Sequence, residues 1–118
     1  MAVPSVDVVC IGNAIVDVIS QVPESFIDRF DLAKGSMTLI ETDRAEDLYA
    51  AMPDRSESSG GSAANTAVGI ASLGGSVNYI GRVADDPLGD FFRTDLRAAG
   101  VGYDVPGATD GVPTARSM

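Results

Sequence analysis

The chain has 118 residues with 17 acids against 8 bases, a net charge of −9, which argues against a nucleic-acid backbone or an anionic membrane as partner. It has no histidine and one cysteine, so Ser-His-Asp and Cys-His nucleophile systems, a His-ligated zinc and an internal disulfide cannot be completed within it. Hydrophobic residues make up 45% with few aromatics, which suits one small domain with a core of Val, Ile, Leu and Ala.

Val6 to Gly12 is a β-branched, nearly continuous apolar run, the pattern of a strand buried on both faces of a parallel sheet. Cys10 lies inside it and reads as a small buried hydrophobe. Ala14 to Val22 reads as a second strand. Asn13, Ile15, Asp17 and Ile19 share one face of it, and Ala14, Val16 and Val18 the other. Asp17 therefore stands in an apolar segment and needs water or a hydrogen-bonding partner. It lies either on the solvated side of an edge strand or opposite two hydroxyls of a polyol. In a straight strand Asn13 and Asp17 would be about 13 Å apart at ~3.3 Å per residue, so one ligand meets both only if it is long or the strand bends.

Pro23 to Phe30 predicts a short helix with Pro and an acid in its first turn. Ser36 to Ile40 reads as another short strand. Thr42 to Ala51 is an amphipathic helix, with Thr42 as N-cap, an apolar stripe of Ala45, Leu48, Tyr49 and Met52, and Pro53 as its stop. Asp54 to Ser59 reads as a polar linker.

The stretch Ser58 to Ala71 then reads as a glycine turn feeding a helix. Gly60-Gly61 permits close backbone approach, and Ser62 is placed as N-cap. The helix runs to Leu73, with Gly74 as a left-handed stop. Such a junction is either an ordinary loop-to-helix turn or a site where a small polar ligand meets bare backbone, a hydroxyl and the Asn65 amide. Ser76 to Val83 is a strand, Pro87 to Ala99 a helix with Phe91, Phe92, Leu96 and Ala99 on its apolar side, and residues 101–105 and 111–118 are extended. The final run has no capping element, which leads to the expectation that a longer fold is interrupted there. Strands alternating with helices argue α/β. Asp85-Asp86 reads as a solvated turn rather than a Mg²⁺ ligand pair. There is neither a Gly-x-x-x-x-Gly-Lys-Ser/Thr loop nor a Gly-x-Gly-x-x-Gly. No leader with a basic start and apolar centre is visible, and no apolar run approaches the ~20 residues that span a bilayer. With the lone cysteine this leads to a cytoplasmic expectation.

Two segments carry a resemblance. Gly60-Gly61-Ser62-Ala63-Ala64-Asn65-Thr66-Ala67, then Gly74 and Gly81 to Gly89, is similar to the first signature of the ribokinase-like (PfkB) carbohydrate and nucleoside kinases. Gly12-Asn13-Ala14-Ile15-Val16-Asp17 is similar to their substrate-binding start, and the Gly-Asn opening with Gly-Gly-Ser resembles adenosine-kinase-like members. Ala84 departs from the signature, which usually carries glycine there. The resemblance covers essentially the whole chain, residues 1–118, as the N-terminal part of such a kinase.

It implies a ribokinase-like α/β fold: a Rossmann-like central sheet flanked by helices, with a small β-sheet lid. The lid strands would be near 14–22, 36–40 and 112–118, with the remainder in the α/β core. It further implies ATP-dependent transfer of the γ-phosphoryl to a substrate hydroxyl, adenosine or a related ribonucleoside being favoured. A free sugar of ribose or fructose type, or a non-catalytic ligand-binding module, stays open as an alternative. The resemblance assigns Asp17, Gly60, Gly61 and Asn65 to substrate, with Asn13 and Ser62 as weaker assignments and Met37 and Leu39 as lid residues. The family's catalytic aspartate sits in a C-terminal motif that this chain does not contain, so no catalytic or metal residue is assigned here. ATP and Mg²⁺ are expected to bind mainly through that later part. Lid strands serve dimerisation in some members only, which leaves a homodimer through the lid open.

Overall fold

The computed structural model describes residues 5–118. In chain order the elements are β1 (Val8–Ile11), β2 (Ile15–Ile19), α1 (Glu24–Arg29), α2 (Thr42–Ala51), β3 (Ser56–Gly60), α3 (Ser62–Ser72), β4 (Val77–Ile80), α4 (Pro87–Ala98) and β5 (Arg116–Ser117). The chain divides into two compact units, one running up to Asp17 and resuming over Ser58–Ser117, the other Val18–Glu57 with Met118.

The first unit is built on a parallel pair, β1 with β4, in the register Val8↔Val77 to Ile11↔Ile80. Joining parallel strands needs a crossover, and α3, packed on both strands, lies within it. Residues around Gly102 add to the other side of β4: the Tyr79 N–H donates to the Gly102 carbonyl (2.8 Å) and the Gly102 N–H to the Val77 carbonyl (3.0 Å). Sequence reading placed β1 between two covered faces. In the structure Cys10 is buried, but Val9 and Ile11 on the opposite face are exposed. The covering elements among the described residues meet only the Cys10 side.

α4 presents Gly89, Phe92 and Leu96 to the core. Phe92, Tyr79 and Tyr103 form an aromatic triangle with ring centroids 5.6–5.9 Å apart. Both phenols use their polar ends to fix strand exits, as a buried hydroxyl requires. Tyr79 donates to the Gly12 carbonyl (2.9 Å), just past β1, and Tyr103 donates to the Gly81 carbonyl (2.7 Å), just past β4.

A second sheet has the strand order β3-β2-β5, with β2 and β5 parallel through Val16↔Arg116 and Asp17↔Ser117. The alternation read in β2 holds: Val16 and Val18 are buried, Ile15 and Asp17 half-buried. Two expectations about this sheet are corrected. Residues 36–40 form no strand, and the strand β3 lies in what reads as a linker. Ser-Glu-Ser-Ser-Gly has no β-branched or aromatic residue, so its extended form comes from pairing rather than propensity. The run 112–118 contributes only the two residues of β5.

In the second unit α2 buries Leu48 and Met52, as its stripe predicts. Its N-cap is Glu41 rather than Thr42, and no side chain caps it. Arg44 donates to the Phe30 and Asp31 carbonyls, and the Arg55 guanidinium sits 4.2 Å from the Tyr49 ring centroid while donating to the Tyr49 and Met52 carbonyls. Tyr49 also hydrogen-bonds Glu57. No helix of the described residues is long and apolar enough to cross a membrane.

Burial, and next the neighbouring Tyr103, push the Tyr79 phenol up to about 12. An unfolded tyrosine ionises near 10, so the unfolded chain loses its proton first and stability falls as pH rises through that window. Tyr79→Phe should remove this alkaline loss and, by leaving the Gly12 carbonyl without its donor, cost about 1–2 kcal/mol at neutral pH. Urea unfolding of both proteins at pH 7 and pH 11 checks both parts.

Candidate functional site

β2 and the start of α3 meet where a glycine pair removes the side chains that would keep them apart. A Cβ on Gly60 would lie 2.7 Å from the Asp17 carboxylate carbon. Gly60 does not have a positive φ, so the need for glycine there is spatial: the Asp17 carboxylate occupies the place of the missing side chain. Gly61 is required twice over. Its φ is +98°, and its Cβ would run into the Asn13 carbonyl group. Gly12 is likewise tight, its Cβ position being 2.7 Å from the Ala63 Cβ. Asn13, Asp17, Gly60 and Gly61 are thereby brought together within the first unit.

Ser62 is not the N-cap. Gly61 holds that position and Ser62 is the first helical residue, because the left-handed backbone that avoids Asn13 falls at residue 61. The Ser62 carbonyl accepts from the Thr66 hydroxyl (2.9 Å). Asn65, in the first turn of α3, donates its N–H to the Gly61 carbonyl (2.9 Å) and is exposed. The half-buried Asp17 carboxylate receives no hydrogen bond from any described protein group. Met37 and Leu39 belong to the second unit, are 82% and 88% exposed, and lie in irregular chain.

A pocket of about 630 Å³ opens beside Asn13. Its walls come from residues 12–15, 82–84, 108 and 110–115. Residues 12–15 and 82–84 lie beyond the carboxyl ends of β1 and β4, where ligands bind in open α/β sheets. Sequence reading missed Arg82, Asp110 and Thr114 as part of this wall. Only their position just past strands and before β5 could have indicated it.

The segment before β5 is tied to the N-terminus of α4 by one carboxylate. Asp86 caps α4 by accepting from the Gly89 N–H (2.7 Å), and accepts as well from the Thr114 N–H (2.9 Å) and hydroxyl (2.6 Å). The Thr114 oxygen accepts in turn from the Ala84 N–H (3.0 Å). Thr114 is 3% exposed, the buried polar residue of this network. Asp86 is thus a structural cap, in keeping with its reading as a turn former. Among the described residues no group of three His, Cys, Asp or Glu side chains could hold a metal ion.

The α/β arrangement is shared with solved small-molecule kinases. The model of the "pfkB family carbohydrate kinase" matches residues 6–117, and the chain belongs to that family. It superposes on the structure of a probable sugar kinase from Rhizobium etli CFN 42 with a TM-score of 0.77 at 50% identity, covering 96% of this chain and 34% of that one. The adenosine kinase from Sinorhizobium meliloti gives a TM-score of 0.80 at 52% identity, covering 96% of this chain and 35% of that one. Among curated proteins, fructokinase from Escherichia coli is 55% identical over 42 residues, 36% of this chain and 14% of that enzyme. The chain therefore spans about a third of the length of the solved kinases it resembles. Their shared fold is the ribokinase-like one expected from the sequence.

Burial raises the Asp86 carboxyl, but the Thr114 hydroxyl and amide, the Gly89 N–H and the Arg116 charge outweigh it and hold the carboxyl below the usual range. The unfolded form takes up its proton first, near pH 4. The stabilisation is therefore complete above that pH and is lost as pH falls through the folded value. Asp86→Ala should cost about 1–3 kcal/mol at pH 7 and flatten the fall of stability below pH 4, as followed by urea unfolding at pH 7, 4 and 3.

Proposed function

We propose that this chain is the acceptor-binding part of a cytoplasmic, ATP-dependent kinase of sugars or nucleosides, with adenosine or a related ribonucleoside as the favoured acceptor. The observation that carries the reading is the Asp17 carboxylate, half-buried, without a protein donor, and packed against a glycine. Such a carboxylate accepts from two vicinal hydroxyls, and charge-assisted hydrogen bonds of this kind are strong. Gly60 and Gly61 let the backbone approach the same ligand, and Asn65 and Asn13 offer amides beside it. Ser62 contributes its hydroxyl from the first turn of α3. Asn13 also borders a partly apolar pocket with Ile15, Val112, Pro113 and Ala115 in its wall.

A kinase of this family implies ATP as phosphoryl donor. In this reading ATP and Mg²⁺ bind mainly through the later part of the kinase, and the residues of this chain bind and orient the acceptor. The β3-β2-β5 sheet then serves as the lid. The free-sugar alternative draws on the local identity to fructokinase.

A phosphorylation screen of the full-length protein with ATP against adenosine, other ribonucleosides, ribose and fructose tests the acceptor. Adenosine or another ribonucleoside should give the highest kcat/KM; preference for fructose or ribose would select the alternative. Because each hydrogen bond to a charged group is worth about 1.5–3 kcal/mol, Asp17→Asn should lower kcat/KM by about 10- to 100-fold. A change within about twofold for every ribose-bearing acceptor would overturn the assignment, since losing even one such bond exceeds it.

A further inference from the structure

Asp95 carries a role that neither the motifs nor the family match assigns. It lies on the inward side of α4, four residues after Phe91 and next to Leu96, among residues that face the core. A carboxylate there needs a donor. Its donor is the backbone N–H of Ser59, 2.8 Å from Oδ2. Ser59 is the residue before Gly60, so the bond grips β3 at the last position before the glycine pair.

We propose that Asp95 is a positioning residue for the acceptor site, fixing β3 so that Gly60 and Gly61 lie against Asp17 and Asn13. The proposal rests on the acceptor reading above for its effect on catalysis, and on geometry alone for its effect on the loop. The fit at Gly60 is close: a carbon added there would displace the Asp17 carboxylate. A small shift of β3 therefore changes the distance between the carboxylate and the glycine backbone. The opposite edge of β2 is held separately, through β5 and the Asp86–Thr114 bonds at the start of the same helix. α4 thus anchors one flank of Asp17 with its N-cap and the other with its third turn.

Asp95→Ala and Asp95→Asn in the full-length protein test this, the asparagine keeping an oxygen that accepts the Ser59 N–H. With the charge-assisted bond gone, Asp95→Ala should speed amide exchange at Ser59, Gly60 and Gly61 by about tenfold while the later turns of α3 keep their protection. KM for the best acceptor should rise by about five- to tenfold with kcat within twofold, the mark of lost binding rather than lost chemistry. Asp95→Asn should bring KM back to within about twofold of the parent. Unchanged exchange at residues 59–61 in Asp95→Ala would overturn the proposal. So would a rise in KM together with a fall in kcat in both variants, with a common loss of thermal stability. If the parent protein phosphorylates no acceptor, the acceptor reading fails, and the exchange measurement still decides whether Asp95 holds the glycine pair.

Discussion

The structure turns on one exclusion of volume. The Asp17 carboxylate fills the space that a side chain at residue 60 would occupy. A carboxylate can stand there only because β2 alternates, sending Val16 and Val18 into the core and Asp17 to the other face. The backbone can pass beneath it only because two glycines end β3 and open α3. The second of these carries the positive φ that turns the chain away from the Asn13 carbonyl.

Backbone N–H groups, rather than basic side chains, hold this junction. Asp86 accepts from Gly89 and Thr114 and Asp95 from Ser59, while at the far ends of β1 and β4 Asp7 accepts from Ser76. The ion pairs Lys34–Glu24, Arg93–Asp90 and Arg97–Asp104 each have at least one well-exposed partner and so contribute little. In an acidic protein this is a coherent use of carboxylates: three of them organise loops and helix ends, while Asp17 accepts from no described protein group. The aromatic triangle adds rigidity from below, since Tyr79 and Tyr103 tie down the chain where β1 and β4 end. The pocket beside Asn13 opens over that fixed floor.

Much of this was legible in the sequence because it depends on local rules. The period of two in β2, the apolar stripe of α2, the glycine stop at residue 74 and the signature around Gly60 each depend on nearby residues. β3 was not legible, since Ser-Glu-Ser-Ser-Gly has no strand propensity and is extended by its neighbours. Residues 36–40 show the reverse: Met-Thr-Leu-Ile suits a strand but finds no partner strand among the described residues. The requirement for glycine at the cap, residue 61, comes from its positive φ and the nearness of the Asn13 carbonyl, nearly fifty residues away. Asp95 carried a readable signal, an acid among core-facing residues of an amphipathic helix, but its partner lies 36 residues earlier and only the fold shows it.

A double-mutant cycle in stability tests the central contact most directly. Gly60→Ala would be measured by urea unfolding in the parent protein and again in an Asp17→Ala background. If the Asp17 carboxylate is what excludes a side chain at residue 60, the substitution should cost about 1 kcal/mol or more in the parent and lose most of that cost once the carboxylate is gone. An equal cost in both backgrounds would contradict the account, placing the need for glycine in the backbone and leaving Asp17 without its seat.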